Sequence, residues 1–369
     1  MTDAMTPDAV PPPTEPPATV PAAPGRSQSP SSGPAAGWFA EPAPVVGPRE
    51  YPQALRGPRH RWWRPLVGLG TLVGALVVVA GSILLLTLGF VVAQLLGVDL
   101  PDPTTDAFLV SPAGMLVTNL GLAVGIPVAL VATWAQAGRP GLVSSVLGRV
   151  RWRLVLGGLG LSLLLLLPLT VASSLLVSPL VPADPAAADD GGLWPLTPAA
   201  GWLALSVVIL LTTPLQAAGE EYFFRGWASQ WLGSLLRWRW LAVIVPAVVT
   251  ALLFAMAHGA QSPWLFADRL VFGLVASLLV WRTGGLELAV ALHVANNLVA
   301  FGLAIAYDGL ADSLLITEVA PAEGAASITT TLVTAAVLLW WGRRQRPAVV
   351  VEDPGPTAVP AGAANGATA

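Results

Sequence analysis

The chain has 369 residues, of which 11% are charged and 54% are hydrophobic, and its net charge is −3. Soluble domains carry about 25% charged residues, so this composition excludes an ordinary soluble globule and predicts an all-α polytopic membrane protein. The absence of cysteine excludes disulfides, Cys-ligated metals and thiol nucleophiles. The basic residues are sparse and separated by long apolar runs, so nucleic-acid binding is not expected.

Hydropathy predicts eight transmembrane helices between two polar tails. Residues 1–60 are rich in proline and alanine, lack the apolar segment of a signal peptide, and are predicted to form a disordered cytoplasmic tail. The segment 346–369 has a similar composition and carries the same prediction. Between them, the predicted helices lie near 66–96, 113–135, 154–177, 201–219, 241–258, 266–281, 286–306 and 326–342.

Arginines alternate with acidic residues from one helix connection to the next. They precede the first and fifth helices, lie between the second and third, and follow the sixth and eighth. The other connections hold mainly aspartate and glutamate, and Arg269 is the main exception. By the positive-inside rule, this alternation predicts a multi-pass protein of the cell membrane, in contact with the lipid bilayer, with both termini in the cytoplasm.

Three short polar clusters interrupt the apolar sequence in the second half of the chain. They are Glu220–Arg225, Phe254–His258 and His293–Asn297, and they contain two of the three histidines. An ionisable group in hydrocarbon costs about 2.5 to 3.5 kcal/mol on insertion scales, so such groups are rare there unless function requires them. The clusters therefore predict an active site inside the membrane.

Helical spacing allows the three clusters to face one another. Residues four apart share a face of a helix, and each cluster contains such a pair, so three helices can present polar faces to one interior point. Glu220 is rotated by about 100° from Glu221 and can point into a cavity. The pairs are Glu221 with Arg225, Phe254 with His258, and His293 with Asn297.

Two kinds of chemistry suit these residues, and their pattern leaves both open. Glu220 can act as a general base toward water. The side chains of His258, His293 and Asn297 can then donate hydrogen bonds to a developing oxyanion. Alternatively, Glu220, His258 and His293 supply two imidazoles and a carboxylate, a set that suits a catalytic zinc or another divalent metal. Neither HExxH nor GxSxG occurs in the chain.

The depth of these groups constrains the fourth predicted helix. Counted from Arg239 at about 1.5 Å per residue, His258 lies about 28 Å across the bilayer, whereas a helix ending at Gly219 would leave Glu220 at the surface. We therefore expect the helix to continue to about Leu236, which places Glu220 about 24 Å above that end.

Two further expectations follow from the same count. His293 would lie about 12–15 Å from the cytoplasmic side, a mismatch that helix tilt must absorb. Pro214 would break or kink the extended helix, with residues 201–213 as a re-entrant or tilted lead-in.

The order EExxxR, FxxxH and HxxxN on a predicted eight-helix membrane protein resembles the CPBP family. This family comprises type II CAAX prenyl endopeptidases and bacteriocin-processing or immunity proteins, and it is also called the Abi family. The resemblance covers about residues 200–305, and Phe224-Arg225-Gly226 is also typical of it. The matching residues are Glu220, Glu221, Arg225, Phe254, His258, His293 and Asn297.

The resemblance implies an intramembrane endopeptidase whose substrate is a membrane-associated peptide or protein. Glu220 would activate the water. The residues that would line the cavity and stabilise the oxyanion are His258, His293 and Asn297. The residues that would support the site from behind are Glu221, Arg225 and Phe254. The family is often described as metalloproteases, so a divalent metal such as zinc at Glu220, His258 and His293 stays an alternative.

The resemblance also suggests a division of the chain into segments. Residues 61–200 would hold the N-terminal transmembrane helices, 201–306 the CPBP/Abi-like catalytic core, and 307–345 the last loop and helix.

Two other classes of function stay open. A non-enzymatic membrane adaptor or bacteriocin-immunity protein of the same fold would keep its phenotype without both histidines. A transporter could use the buried ionisable groups as a relay, but confinement of these groups to one half of the chain argues against it.

Overall fold

The computed structural model describes residues 47–97, 105–180 and 195–352, which form twelve α-helices, two strands and four shorter helical segments. The α-helices are α1 (Arg64–Leu95), α2 (Asp106–Leu109), α3 (Pro112–Ala123), α4 (Gly125–Ala135), α5 (Trp152–Val177), α6 (Trp202–Glu221), α7 (Ser229–Leu235), α8 (Arg239–Met256), α9 (Pro263–Thr283), α10 (Glu287–Ala306), α11 (Leu310–Leu314) and α12 (Pro321–Arg344). The strands are β1 (Arg49–Glu50) and β2 (Val350–Val351). Short 3₁₀ turns lie at Tyr51–Gln53, Pro140–Val143 and Ser178–Leu180, and a π-helical segment at Tyr222–Ala228 joins α6 to α7.

Seven helical segments of the described chain are long and apolar enough to cross a membrane. The described apolar part of α1, Arg64–Val77, is shorter than these, although the helix itself has 32 residues. The predicted all-α polytopic class is confirmed, and seven of the eight predicted spans have counterparts that meet this requirement. These are Pro112–Ala135, Trp152–Val177, Trp202–Leu235, Arg239–Met256, Pro263–Thr283, Glu287–Ala306 and Pro321–Arg344.

The outward faces of the helices are apolar. Leu164 of α5 and Leu211 of α6 are 70% and 68% exposed, and many other leucines and valines of the long helices are similarly uncovered. Such a surface is unfavourable in water but is the surface expected against lipid chains. Exposed tryptophans lie near the helix ends that carry arginine, as in an interfacial aromatic belt; they include Trp62, Trp152, Trp238 and Trp340.

The two strands fix the parity of the membrane crossings. β1 precedes α1 and β2 follows α12, and they pair antiparallel, with Arg49 opposite Val351 and Glu50 opposite Val350. The two segments therefore lie at the same end of the helical bundle. An even number of crossings must separate them, so if each of the seven apolar spans crosses the membrane, α1 would supply the eighth crossing.

The same end of the bundle also gathers three connections between helices, and we call it the arginine face. Arg151, at the start of α5, forms a bidentate ion pair with Glu287 at the start of α10, with Nε–Oε1 and Nη2–Oε2 distances of 2.8 and 2.6 Å. Its Nη1 also donates to the carbonyl of Ala348, beside β2. The Gln230 side chain of α7 donates to the carbonyl of Leu142 in the α4–α5 connection. These contacts confirm that successive long helices run in alternate directions.

Parts of the predicted disordered tails are packed in the structure. The predicted tail 1–60 contains β1 and the buried side chains of Tyr51 and Arg56. The Tyr51 hydroxyl donates to the carbonyl of Val143, and Arg56 Nη1 donates to the carbonyl of Ser234 at 2.9 Å. The predicted tail 346–369 contains β2. In 47–60 and 346–352, these long-range contacts offset the ordering entropy that the prediction of disorder relied on. The rest of both predicted tails, 1–46 and 353–369, lies outside the described residues.

The helix that carries Glu220 continues to Leu235, as the depth argument predicts. Pro214 lies inside α6 and does not end it, so a break at Pro214 and a re-entrant form of 201–213 are wrong, while a kink or tilt of this part stays a prediction. Neighbouring helices can compensate for the hydrogen bond that a proline removes in a membrane helix. The irregular part is instead the π-helical segment Tyr222–Ala228, which begins directly after Glu221. Such segments are frequent at functional sites.

Glycines let the backbone of α6 approach the junction between α3 and α4. A Cβ at Gly219 would overlap the carbonyl oxygen of Leu122, and a Cβ at Gly125 would overlap the carbonyl oxygen of Gly219. Only glycine permits backbones this close. The contact fixes the position of α6 one residue before Glu220, while α10 packs on another side of α6 and α8 packs on α9.

Candidate active site

A cavity of about 640 Å³ lies inside the bundle and brings together most of the predicted site residues. Its walls come from α1, α3, α4, α6, α8, α9, α10 and the segment around α11, and most of the lining side chains are apolar. The polar side chains that line it include Asn119, Gln216, Glu220, His258, Arg269 and Asn297. An apolar cavity with a few convergent polar groups is the usual form of a ligand-binding site.

Glu220 lies in the wall of this cavity with 13% of its side chain exposed. Its Oε1 accepts a 2.6 Å hydrogen bond from Nε2 of Gln216, one turn earlier on α6. Its Oε2 lies 3.7 Å from Nε2 of His293 on α10. One oxygen is thus fixed by an amide of its own helix, while the other faces a histidine of the neighbouring helix.

Gln216 also joins Glu220 to Asn297. The Oε1 atom of Gln216 accepts a 3.0 Å hydrogen bond from Nδ2 of Asn297. The amide nitrogen of Gln216 donates to a carboxylate and its oxygen accepts from an amide N–H. These two partners therefore determine which way the Gln216 amide is oriented. The α6 and α10 sides of the site are therefore connected by one chain of hydrogen bonds.

His293 lies behind Glu220, and it is not among the residues that line the cavity. Its Nδ1 is 2.8 Å from Oε1 of Glu221, whose side chain is fully buried. The same oxygen accepts a 3.0 Å hydrogen bond from Nη1 of Arg225, as the spacing of four residues predicts. Since an ionised carboxylate only accepts, His293 donates from Nδ1, and its Nε2 is left toward Glu220.

Phe254 joins the two histidines and the buried arginine. The His258 ring packs edge-to-face on it at a centroid distance of 4.8 Å, and the His293 ring does so at 5.8 Å. The guanidinium of Arg225 lies 4.2 Å from its ring centroid. Phe254 also lines the cavity, so it separates the buried ion pair from the cavity while holding both imidazoles in place.

His258 follows the last turn of α8 and lines the cavity. Its Nδ1 lies 2.8 Å from the carbonyl oxygen of Phe254. A carbonyl can only accept, so Nδ1 carries the proton, and the neutral ring then has an unprotonated Nε2. The structure therefore assigns the two histidines different surroundings, since one contacts the cavity and the other contacts two glutamates.

The proposed metal ligands do not form a metal site in this arrangement. Among the described residues, no group of three or more His, Asp or Glu side chains could hold a metal ion. Glu220 and His293 approach each other, and Nδ1 of each histidine is held by an acceptor, which leaves Nε2 as the only nitrogen that could face a metal. The three predicted donors are nevertheless not gathered into one such group. The residues present thus do not fit a metal-binding set, and we derive no step through a metal.

The sequence patterns did not single out two polar residues that line the cavity. Asn119 of α3 donates to the hydroxyls of Thr212 and Thr213 on α6, at 2.8 and 3.2 Å, although it is isolated in the sequence. Arg269 lines the cavity from α9, and its signal was present as the exception to the alternation of charge. Its position inside an apolar span, away from the other arginines, already distinguished it from an interfacial anchor.

The geometry can be compared with known proteins over the part of the chain that holds the site. Residues 201–299 match the family model for the type II CAAX prenyl endopeptidase Rce1-like proteins. The uncharacterized protein YyaK of Bacillus subtilis (strain 168) is 36% identical over 101 residues, which is 26% of this chain and 32% of that relative. The alignment thus spans about a third of the length of this curated relative, and no solved structure matches. All seven motif residues fall inside 201–299, so the segment that carries the motifs is also the segment that is similar to the Rce1-like family, as the motifs predict.

Proposed function

We propose that this chain is an intramembrane endopeptidase that hydrolyses a peptide bond in a membrane-associated protein or peptide by means of a water activated by Glu220. The observation that carries the proposal is the shared cavity. A carboxylate, an imidazole and an amide from three different helices line one largely apolar space inside a bundle with a lipid-facing surface. The family match over the same segment supports the same reaction class.

Glu220 is the general base in this proposal. Gln216 holds its Oε1, so the carboxylate presents a fixed edge to a water in the cavity. Glu220 takes a proton from that water as the oxygen attacks the carbonyl carbon of the substrate, and the proton later passes to the leaving amine. The water oxygen remains in the new carboxyl group, so atoms and charge balance without a covalent intermediate.

Asn297 is the group best suited to stabilise the oxyanion without any change of protonation. Its Nδ2 carries two N–H groups, of which one is donated to Gln216, so the other is available to the developing charge. His258 can donate from Nε2 only when its ring is protonated, because its Nδ1 proton is directed to the Phe254 carbonyl. In its neutral form, His258 instead accepts a hydrogen bond from the attacking water.

His293 acts through Glu220 in this mechanism. Glu221 fixes its tautomer, and its Nε2 lies 3.7 Å from Oε2 of Glu220. A protonated His293 would stabilise the ionised base, and a neutral one could accept the proton that Glu220 collects. The Arg225–Glu221 pair supports this arrangement from the buried side.

The site is proposed to operate in the cell membrane with both termini in the cytoplasm. The arginine face holds β1, β2 and the arginine-rich connections, so the positive-inside rule assigns it to the cytoplasmic side. The partners of the protein are then the lipid bilayer and a peptide or protein substrate that enters the cavity from within or beside the membrane.

Digestion of a solubilised membrane proteome tests the proposal. Purified wild-type protein, Glu220→Gln and Glu318→Gln would be incubated with the same extract, and new peptide termini would be identified by mass spectrometry. Glu318 is an exposed glutamate of the α11–α12 connection and serves as the matched control. We expect the same new termini with wild type and Glu318→Gln, and none with Glu220→Gln. Equal termini with all three proteins would contradict the proposal.

A further inference from the structure

Arg269 is a cation in the wall of the catalytic cavity that the mechanism above does not use. It is the seventh residue of α9, so at 1.5 Å per residue it lies about 9 Å along the helix from Pro263, inside an apolar span. Charged groups at such positions are costly and usually serve a function. Most of the side chains around it in the cavity wall are apolar.

The structure holds the Arg269 guanidinium in place without neutralising it. Its Nη1 donates a 2.6 Å hydrogen bond to Oε1 of Gln261. The amide of Gln261 is itself held by the carbonyls of Ala255 and Gly259, at 2.6 and 3.3 Å. Gln261 is uncharged, so this contact fixes the direction of the guanidinium without pairing it with a carboxylate.

Two other arginines that lie among the packed helices have carboxylate partners. Arg225 pairs with Glu221 and Arg151 pairs with Glu287, whereas no carboxylate of the described residues lies within ion-pair distance of Arg269. The neighbouring Asp268 is close enough to interact with Arg269 electrostatically, but its carboxylate does not come within ion-pair distance of the guanidinium. The guanidinium therefore has remaining donors for an anionic ligand in the cavity.

We infer that Arg269 binds a carboxylate group of the substrate and thereby sets the direction in which the substrate occupies the cavity. The inference rests on the proposed peptidase function and adds a specificity residue to it. Glu220 would repel a carboxylate and Arg269 would attract it, so the anionic end lies at Arg269 and an uncharged part of the peptide lies at Glu220. Two sources share this chemistry, namely the free C-terminus of a peptide and an acidic side chain.

Binding of small peptide probes distinguishes these sources. The protein is the full chain in nanodiscs with Glu220→Gln, so that no probe is cleaved. The probes are N-acetyl-Leu-Ala-Leu as free acid, the same peptide as C-terminal amide, and N-acetyl-Leu-Glu-Leu amide. A hydrogen bond to a charged group contributes on the order of 1.4 kcal/mol, so a probe with the recognised carboxylate should bind about tenfold more tightly than the neutral amide.

The variants decide whether Arg269 causes the preference. Adding Arg269→Gln should remove the preference while leaving the affinity for the neutral amide unchanged, which also shows that the cavity is intact. Arg269→Lys should keep part of the preference, and Arg282→Gln, at the exposed end of the same helix, should keep all of it. Tighter binding of the free acid identifies the C-terminus, and tighter binding of the glutamyl amide identifies a side chain.

Two results would overturn the inference, namely no preference for either acidic probe, or a preference that survives Arg269→Gln. Failure of the proposed function is a separate outcome. In that case the comparison of wild type with Glu220→Gln on a membrane proteome shows no termini that depend on Glu220. An Arg269-dependent preference for an acidic probe would still indicate a carboxylate-binding site.

Discussion

Gln216 donates a 2.6 Å hydrogen bond to Glu220, one turn further along α6. The same amide accepts a hydrogen bond from Asn297, so the base and the oxyanion donor of the proposed mechanism share one positioning residue. In the sequence, Gln216 is a single polar residue before the EExxxR motif. The structure makes it the only side chain of the described residues that bonds to both Glu220 and Asn297.

Replacement of Gln216 by leucine should slow proteolysis without unfolding the protein. Loss of a hydrogen bond to a charged group costs about 1.5 to 3 kcal/mol, so we expect a rate lower by about 10- to 100-fold. Gln216→Glu should be at least as harmful, because it places a like charge beside Glu220. The rate of formation of a product terminus at matched protein amount measures the effect. Leu215→Ala, on a half-exposed neighbour, is the control, and equal rates for Gln216→Leu and the control would contradict this role.

The Glu221–Arg225 pair should be needed for stability mainly because both charges are buried. Its side chains are fully buried, with an Nη1–Oε1 distance of 3.0 Å. Removal of one partner from a buried pair costs about 3 to 5 kcal/mol, whereas removal of both costs much less. We therefore expect Glu221→Leu and Arg225→Met to lower the free energy of unfolding strongly as single variants and weakly when combined.

Denaturant titration in detergent micelles measures the three unfolding free energies as a double-mutant cycle. Additive losses would show that the two side chains are independent, and would contradict the ion-pair account.

Local patterns in the sequence predicted local contacts well. The spacing of four residues predicted the Glu221–Arg225 pair. The requirement that Glu220 and His258 lie at similar depth in the membrane predicted that the helix continues, and it does so to Leu235. Both follow from helix geometry alone. The apolar spans were likewise predictable, because a helix that crosses hydrocarbon needs about 20 apolar residues.

Long-range contacts were not predictable from these patterns. The count of helix rise put Glu220 about 24 Å and His293 about 12–15 Å from the same side, yet their side chains approach to 3.7 Å. The count assumed that every helix begins at the surface. Glu287, the first residue of α10, is only 2% exposed and forms an ion pair with Arg151, so the start of α10 is covered by other parts of the chain instead of lying at the surface.

The packed part of the N-terminal segment was missed for a similar reason. Its proline-rich composition indicates disorder, but Tyr51 is fully buried and bonds to Val143, which is 92 residues away in the sequence. Likewise, His293 and Asn297 share a helix face, but their partners differ. His293 contacts Glu221, whereas Asn297 bonds to Gln216, and no local pattern specifies that division.

Alanine at Gly219 should disturb the site, and alanine at Gly121 should not. A Cβ at Gly219 would overlap the backbone of Leu122, which forces α6 away from α3 one residue before Glu220. A Cβ at Gly121 has no atom within 4 Å. We expect Gly219→Ala and Gly125→Ala to lower both thermal stability and proteolysis, with Gly121→Ala close to wild type. Similar melting temperatures for all three variants would contradict the close-packed junction.

Single cysteines should test the parity of the membrane crossings. The chain has no cysteine of its own, so each variant carries one reactive site. Arg59→Cys and Arg346→Cys lie at the arginine face, and Asp312→Cys lies beyond the other end of α10; all three positions are exposed. A membrane-impermeant maleimide should label Asp312→Cys in intact cells, and the other two only in inverted vesicles. Labelling of Arg59→Cys and Arg346→Cys from opposite sides would indicate an odd number of crossings.

The most direct test of the central claim compares the termini of membrane proteins in cells that carry wild type or Glu220→Gln at matched abundance. If Glu220 activates the water, termini that appear with wild type should be absent with Glu220→Gln, and the lost termini name the substrates. If the two cell populations show the same termini under conditions where the protein has a phenotype, the peptidase account is wrong, and a non-enzymatic adaptor of the same fold becomes the better explanation.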